Sequence, residues 1–426
     1  MKNFEVSRKY AQSLDNKDKL ASFREKFNFP KPRDGRNNIY LCGNSLGLQP
    51  KIAVNFVKDI LTDWADLGVE GHTKARSPWL NYHRLATKGF ASLVGANERE
   101  VVAMNTLTVN LHILMASFYR PTSKKNKIVI ESTAFPSDYY AVTSQLQLHG
   151  YDPNECLIEW KPRLDKLLHI GDLEQILEDH GHEIALVLLP GVQYYNGQVL
   201  DMEEACRAVQ NAGCLIGLDL AHAVGNVPMQ LHDWGPDFAA WCTYKYLNAG
   251  PGAVAGAFVH SRHLDGDGSQ QLTGWWGNEE KTRFQMARTF EPANGVERWQ
   301  LSNPPILAIA PIIASLNIFE EAGMEALREK SLSQTSYLKL LLDSCFEGQV
   351  ETITPTSSRG CQLSLVITDN KLNGHDVFKA LAEQHVTADW REPNVIRVAP
   401  APLYNSYEDI YEFSLRLGTA INTKQA

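Results

Sequence analysis

Residues 219–245 put a carboxylate, an imidazole, a phenol and an amine into one short stretch of chain: Asp219, His222, Tyr244 and Lys245. The first two belong to D-L-A-H-A-V-G-N-V, which follows the apolar run from Cys214 to Leu218. The other two belong to C-T-Y-K-Y-L-N-A-G-P-G, which follows F-A-A-W. The first apolar run reads as a buried strand that delivers Asp219 and His222 to its carboxyl end, where open α/β sheets place their ligands. A second short strand is expected to carry Tyr244 and Lys245. A lysine beside an apolar strand is costly as a purely structural residue, because a buried ammonium needs a partner or must lose its charge.

Condensing that amine with a carbonyl to a Schiff base removes the charge, and a carboxylate nearby can then face a heterocyclic nitrogen. This is how pyridoxal phosphate enzymes pair lysine with aspartate. At ~4 Å and an effective dielectric of about 20, such a pair is worth about 4 kcal/mol, enough to hold a ring nitrogen protonated as an electron sink. The competing reading is a buried ion pair or a surface lysine. The clustering of His222 and Tyr244 with Lys245 and Asp219 favours the cofactor.

Further motifs bear on the same chemistry. They are L-C-G-N-S-L-G-L-Q-P from Leu41, N-T-L-T-V-N-L-H from Asn105, F-P-S-D from Phe135, G-W-W-G from Gly274, S-N-P-P from Ser302 and I-R-V-A-P from Ile396. Together with the stretch from Asp219 they span most of the chain, and the sequence resembles the kynureninases, pyridoxal phosphate enzymes of the aminotransferase class V group. The resemblance implies a fold type I (aspartate-aminotransferase-like) α/β architecture. It also implies hydrolysis of L-kynurenine or 3-hydroxykynurenine to anthranilate or 3-hydroxyanthranilate plus L-alanine. Within that pattern Lys245 is the Schiff-base lysine, Asp219 meets the pyridine nitrogen and His222 steadies the cofactor. Leu107 and Thr108 bind the cofactor, Phe135 stacks on its ring and Asp138 supports its polar edge. Tyr244 is a candidate for proton transfer and for a phosphate contact. Arg397 takes the substrate carboxylate, Ser45 lies near the substrate, and His72 and Asn303 surround its aromatic ring. Trp275 and Asn303 are implied to reach the site of a neighbouring subunit, so the expected assembly is a homodimer with shared sites. The polar pair His72 and Asn303 favours 3-hydroxykynurenine, since a buried ring hydroxyl needs a hydrogen-bond partner.

Two of these roles also have a reading from the residues alone. The Asn105 motif leads into an apolar-periodic run from Leu111 to Tyr119, and a loop opening a helix is a ready phosphate site, although Thr106 or Thr108 could simply cap it. Arg397 is either a surface ion pair or a bidentate carboxylate clamp. Rival functions are another class V reaction, a cysteine desulfurase or aminotransferase, and a catalytically silent scaffold of the same fold. A desulfurase wants a mobile loop cysteine, and none of the seven cysteines stands in an obvious one.

The elements that position these residues follow the same logic. At 426 residues the chain exceeds one ordinary core. The expected division is 1–50 (N-terminal helices and a strand, part of a small domain), 51–305 (a large cofactor domain with a mostly parallel sheet) and 306–426 (a linking helix and a C-terminal α/β domain). Helices are expected over residues 3–27, 51–67, 202–212 and 374–384. A long one should begin at Ile306, bend at Pro311 and run to Phe346. Strands are expected over 127–131, 184–189, 253–259, 362–368 and 395–398, with a surface turn at Gly266-Asp-Gly268. A net charge of -8 argues against nucleic acid or an anionic membrane as partner. Scattered cysteines without C-x-x-C spacing indicate neither a disulfide framework nor a metal site. The charged N-terminal segment and the lack of a long apolar run lead to the expectation of a cytoplasmic protein acting on a small molecule.

Overall fold

Apolar runs flanked by helical segments fold here as strands covered on both sides, the condition under which a parallel sheet is stable. The computed structural model describes residues 5–31, 35, 38–265 and 271–425. Seven strands form the main sheet: β1 (Val101–Ala103), β2 (Lys127–Glu131), β3 (Leu157–Trp160), β4 (Ile184–Pro190), β5 (Leu215–Asp219), β6 (Phe238–Trp241) and β7 (Gly256–Val259). Their spatial order is β1-β7-β6-β5-β4-β2-β3. The five strands from β6 to β3 are mutually parallel, and β7 runs antiparallel to both of its neighbours. The sheet is therefore mixed and mostly parallel. Its parallel strands all end at one edge, and the loops leaving β2, β4, β5 and β6 converge there.

A second, four-stranded antiparallel sheet comprises β8 (Val350–Thr352), β9 (Leu363–Ile367), β10 (Asp389–Arg391) and β11 (Val395–Val398), in the order β8-β9-β11-β10. One face of it alternates into an apolar cluster in which Leu363, Leu365, Ile396 and Val398 pack with Tyr337 and Phe413. The N-terminal residues Ile39 and Tyr40 pair in parallel with Val386 and Thr387, so chain from both ends meets on this side of the molecule. Among the described residues no single helix is long and apolar enough to cross a membrane.

Several expected boundaries shift for local reasons. Lys245 does not lie in a strand: β6 ends at Trp241, and Tyr244 and Lys245 sit in the irregular turn beyond it. The helix expected to begin at Leu111 begins four residues earlier (Leu107–Phe118), because Thr106 already has the extended conformation of an N-cap. The long segment from Ile306 breaks not at Pro311, which the helix Ile306–Ala322 carries inside it, but at Gly323. With φ of 75° that glycine ends the helix and starts Met324–Cys345 at an angle of 80°. Among the described residues the N-terminal segment holds one α-helix, Arg8–Asp15, followed by a 3-10 turn, Ala21–Lys26. The loop around His72 contains a short helix, Gly71–Lys74. The Gly266-Asp-Gly268 turn and the first residues of the N-terminal segment lie outside the described residues.

Candidate active site

At the carboxyl edge of the parallel strands lies a cavity of about 360 Å³. It is lined by Asn44, Ser45, Thr106, Leu107, Thr108, Glu131, Phe135, Ser137, Asp138, Pro190, Val192, Tyr194, Asp219, Ala221, His222, Tyr244, Lys245 and Arg391. Each wall has its own supporting element. β5 ends on Asp219, whose Oδ1 accepts the backbone N–H of Ala221 at 2.7 Å. The turn after it brings in His222, and the turn after β6 brings in Lys245. Lys245 Nζ donates to His222 Nε2 at 2.9 Å. Burial first, then Lys245 and the more distant Arg397 and Arg391, push the His222 pKa well below its ordinary value. The ring is therefore neutral and acts as acceptor, leaving its proton on Nδ1, a buried atom without a protein partner.

The opposite wall is acidic. Asp138, on the first turn of the helix Pro136–Leu148, lines the cavity together with Asp219. Burial and the Asp219 charge raise the Asp138 pKa well above the carboxylate range, and Lys245 opposes them. Glu131, the last residue of β2, is pushed up to about 7, chiefly by burial, with Thr133 and Gln193 lowering it and Asp219 raising it. Three acidic groups thus crowd one side of the cavity and favour protonation over full ionisation, and a cationic group entering there would let them ionise.

The third wall is the start of the helix Leu107–Phe118. Its N-cap, Thr106, makes no side-chain capping bond, and Thr108 Oγ1 lies 2.7 Å from Ser137 Oγ at the start of a second helix. Two helix N-termini with free N–H groups and two hydroxyls make a site for an anion. Tyr244 stands nearby, its pKa raised by burial. Phe135 projects at the rim, its ring edge-on to Tyr194 at 5.3 Å. The turn at residues 43–47 closes the base: Gly47 N–H donates to the Tyr244 carbonyl at 2.8 Å. A side chain at Gly47 would collide with Lys245 and Asn248.

Nine of the sequence-predicted site residues, Ser45, Leu107, Thr108, Phe135, Asp138, Asp219, His222, Tyr244 and Lys245, line this cavity, and Arg397 lies behind Tyr194 without reaching it. Arg397 is fully buried, with Nη1 donating to the Tyr194 carbonyl and Nη2 to Asp389 Oδ2, both at 2.7 Å. His72, Trp275 and Asn303 are not on the cavity of their own chain. The His72 ring packs edge-on to Trp79 at 5.4 Å. Trp275 is 43% exposed and its indole N–H donates to the Arg283 carbonyl at 3.0 Å, and Asn303 is exposed. Sequence reading missed Glu131, Ser137, Tyr194 and Arg391. Glu131 could have been found as the acid ending an apolar strand run, and Ser137 lies inside the F-P-S-D motif itself. Tyr194 and Arg391 gave no local signal.

Elsewhere, Glu100, His232 and His260 hold potential ligand atoms within 4.8 Å of one another. Those atoms are already engaged: His232 Nδ1 meets Glu100 at 2.9 Å, and His260 Nδ1 accepts the Arg262 N–H at 3.1 Å. The cluster reads as a structural brace.

The fold places the chain in a class. It matches a C-DES variant with glycine covalently linked to the PLP cofactor (TM-score 0.77, 17% identity, 92% of this chain and 98% of that one). It also matches the cysteine desulfurase CsdA from Escherichia coli (TM-score 0.76, 16% identity, 95% and 98%). The architecture is thus that of the fold type I pyridoxal phosphate enzymes. Sequence narrows it further. Residues 327–417 match the model of the kynureninase C-terminal domain. The chain is 51% identical to the kynureninase of Myxococcus xanthus, over 96% of each. It is 50% identical to that of Stenotrophomonas maltophilia, over 96% of this chain and 97% of the relative. The chain belongs to the kynureninase family.

Proposed function

We propose that this chain hydrolyses L-kynurenine, 3-hydroxykynurenine or both to the corresponding anthranilate and L-alanine, with pyridoxal phosphate as its cofactor. The observation that carries the reading is Lys245, held 2.9 Å from a neutral His222 in a cavity whose acidic wall is Asp219 and Asp138. The residues fit the cofactor on three counts. A protonated ring nitrogen answers the crowded acidic groups, a phosphate answers the two helix N-termini with Thr108 and Ser137, and the amine is in place for an aldehyde.

Lys245, Asp219, His222, Asp138, Phe135, Leu107, Thr108 and Tyr244 would hold the cofactor, with Phe135 against its ring. When bound, pyridoxal phosphate supplies a covalent carbonyl for the substrate amine and an electron sink for charge left at Cα. The rest belongs to the chain. Once displaced, the Lys245 amine is free to take and return the Cα proton, with His222 as its hydrogen-bond partner. Tyr244 would pass a proton when water adds to the γ-carbonyl and the Cβ–Cγ bond breaks. Arg397 supplies fixed positive charge for the α-carboxylate, and Ser45 lies on the substrate side of the cavity.

The proposal extends to a homodimer in which Trp275 and Asn303 complete the partner's site and His72 borders the aromatic ring. Support comes from the exposed apolar side chains of Ile52, Val54, Leu61, Trp64 and Leu307, of which Val54, Leu61 and Leu307 line an apolar depression of about 840 Å³. A second copy would cover them. We also propose the division into 1–50, 51–305 and 306–426, and a cytoplasmic location, for which the seven unpaired cysteines are suited. A desulfurase is disfavoured by the cysteines: the one exposed thiol among the described residues, Cys345, ends a helix away from the cavity. The test is incubation of purified protein with L-kynurenine while following anthranilate fluorescence. Absence of product from protein that binds the cofactor would overturn the reading.

A further inference from the structure

The second sheet turns a polar face toward the cavity. Strand geometry puts alternate residues on one side, so Asp389 and Arg391 of β10 share a face. Asp389 lies directly opposite Arg397 of β11, which lies opposite Ser364 of β9. Ser364, Arg397 and Asp389 are all more than nine-tenths buried, on a face that a solvent-exposed sheet would leave wet. Asp389 Oδ2 accepts from both arginines, at 2.7 Å from Arg397 and 3.1 Å from Arg391.

The two guanidiniums are differently committed. Arg397 has given both terminal nitrogens to protein acceptors and does not line the cavity. The Nε of each is buried without a protein partner, but of the two it is Arg391 that lines the cavity. Its remaining contacts are the bond to Asp389 and a long one, 3.3 Å, to the Trp390 carbonyl. Two cations against one carboxylate leave one positive charge unanswered, which matches a single α-carboxylate. Both arginines bear electrostatically on His222, the partner of Lys245. Arg391 lines the same cavity as His222 and Lys245, so the surplus charge borders the space in which the amine lies.

We propose that Arg391 is a second substrate-carboxylate residue, held beside Arg397 by the Asp389 carboxylate they share, so that an α-amino acid is recognised by two guanidiniums. This rests on the function proposed above. Asp389 is the positioning residue, since it faces the arginines and not the cavity.

The test uses the full-length holoenzyme. Arg391→Gln is expected to raise KM for L-kynurenine at least tenfold, with a smaller change in kcat and unchanged cofactor affinity. Arg391→Lys, which keeps the charge and loses the fork, should fall between it and wild type. Asp389→Asn should also act on KM more than on kcat. The discriminating readout is inhibition by a carboxylate-bearing kynurenine analogue against its decarboxylated counterpart. Arg391→Gln should weaken the first and leave the second. Loss of both alike, or a KM within twofold of wild type in both Arg391 variants, overturns the proposal. Wild-type protein that does not turn over kynurenine defeats the proposed function instead, so the two failures are distinguishable.

Discussion

Replacing Gly47 by alanine tests whether the turn at residues 43–47 sets the position of Lys245. A Cβ on Gly47 would lie 2.8 Å from Asn248 Cα, and closer still to the Lys245 carbonyl oxygen and Asn248 Oδ1, where ordinary contact begins at 3.4 Å. Two of those three obstacles are backbone and cannot rotate away. The 244–248 turn must therefore retreat by roughly 1 Å, a displacement that can cost about 100-fold in rate when it moves a reacting group. Overpacking of this kind destabilises by about 1–3 kcal/mol, so the protein should still fold. The expected result is a kcat for kynurenine lowered by about two orders of magnitude, with a modestly lower thermal midpoint. Borohydride trapping should show cofactor still attached to Lys245, which separates misplacement from loss of cofactor. A kcat within threefold of wild type, with an unchanged midpoint, would refute the claim that this contact fixes the lysine.

Other consequences are simpler to state. Lys245→Ala should abolish turnover, because both the covalent anchor and the Cα base are lost; steady-state activity above background would sink the assignment of this lysine. Mixing Lys245→Ala chains with Trp275→Ala/Asn303→Ala chains should restore one working site per mixed dimer, and a fully active monomer in sedimentation would rule out sharing. If Asn303 and His72 read the ring hydroxyl, 3-hydroxykynurenine should have the higher kcat/KM, by about tenfold at most from one neutral hydrogen bond; a ratio unmoved by Asn303→Ala and His72→Ala counts against it. Glu131, raised on burial from 4.5 to about 7, contributes stability that is complete below its unfolded pKa and disappears as pH climbs through about 7. Glu131→Gln should flatten that decline by about 3 kcal/mol at most, seen in thermal midpoints of the cofactor-free protein from about pH 5 to pH 8; parallel curves for the two proteins would contradict it.

The parallel sheet was legible because its strands are buried on both faces, so that 128–130, 186–189 and 216–218 are uninterrupted apolar runs. Asp219 and Lys245 were legible for a different reason: their charges are too costly beside such strands to be incidental. The turn holding Lys245 was misread as a strand because Y-K-Y-L is as apolar as one, and only contacts with residues 43–47, far off in sequence, show that it is not. The second sheet was harder. Its polar face, Gln362, Ser364, Asp389, Arg391 and Arg397, alternates with apolar residues just as a solvent-facing strand does. Nothing local says that the polar side is covered. His72, Trp275 and Asn303 are a third case. They were placed by resemblance, and the single chain cannot bring them to its own cavity because what they are proposed to face is another copy.

What covers that polar face also governs the cavity. The segment leaving β4 runs between the two sheets, and the second sheet grips it by its backbone. The Tyr194 carbonyl accepts from Gln362 at 3.0 Å and Arg397 at 2.7 Å, and the Tyr195 carbonyl accepts from Ser364 at 2.6 Å. Across the same junction Asn226 donates to the His222 carbonyl and accepts the Cys361 N–H, both at 2.9 Å. A carbonyl fixed in the chain cannot swing aside as a side chain can. Any displacement of the second sheet is therefore passed to Tyr194 on one wall of the cavity and to His222 on the other. Since His222 holds Lys245 and Tyr194 packs against Phe135, the arginines proposed to bind the carboxylate and the amine proposed to react share one mechanical frame. On the proposed roles, substrate recognition at Arg391 and Arg397 would be coupled to the placement of Lys245 through backbone contacts, without any direct bond between the two groups.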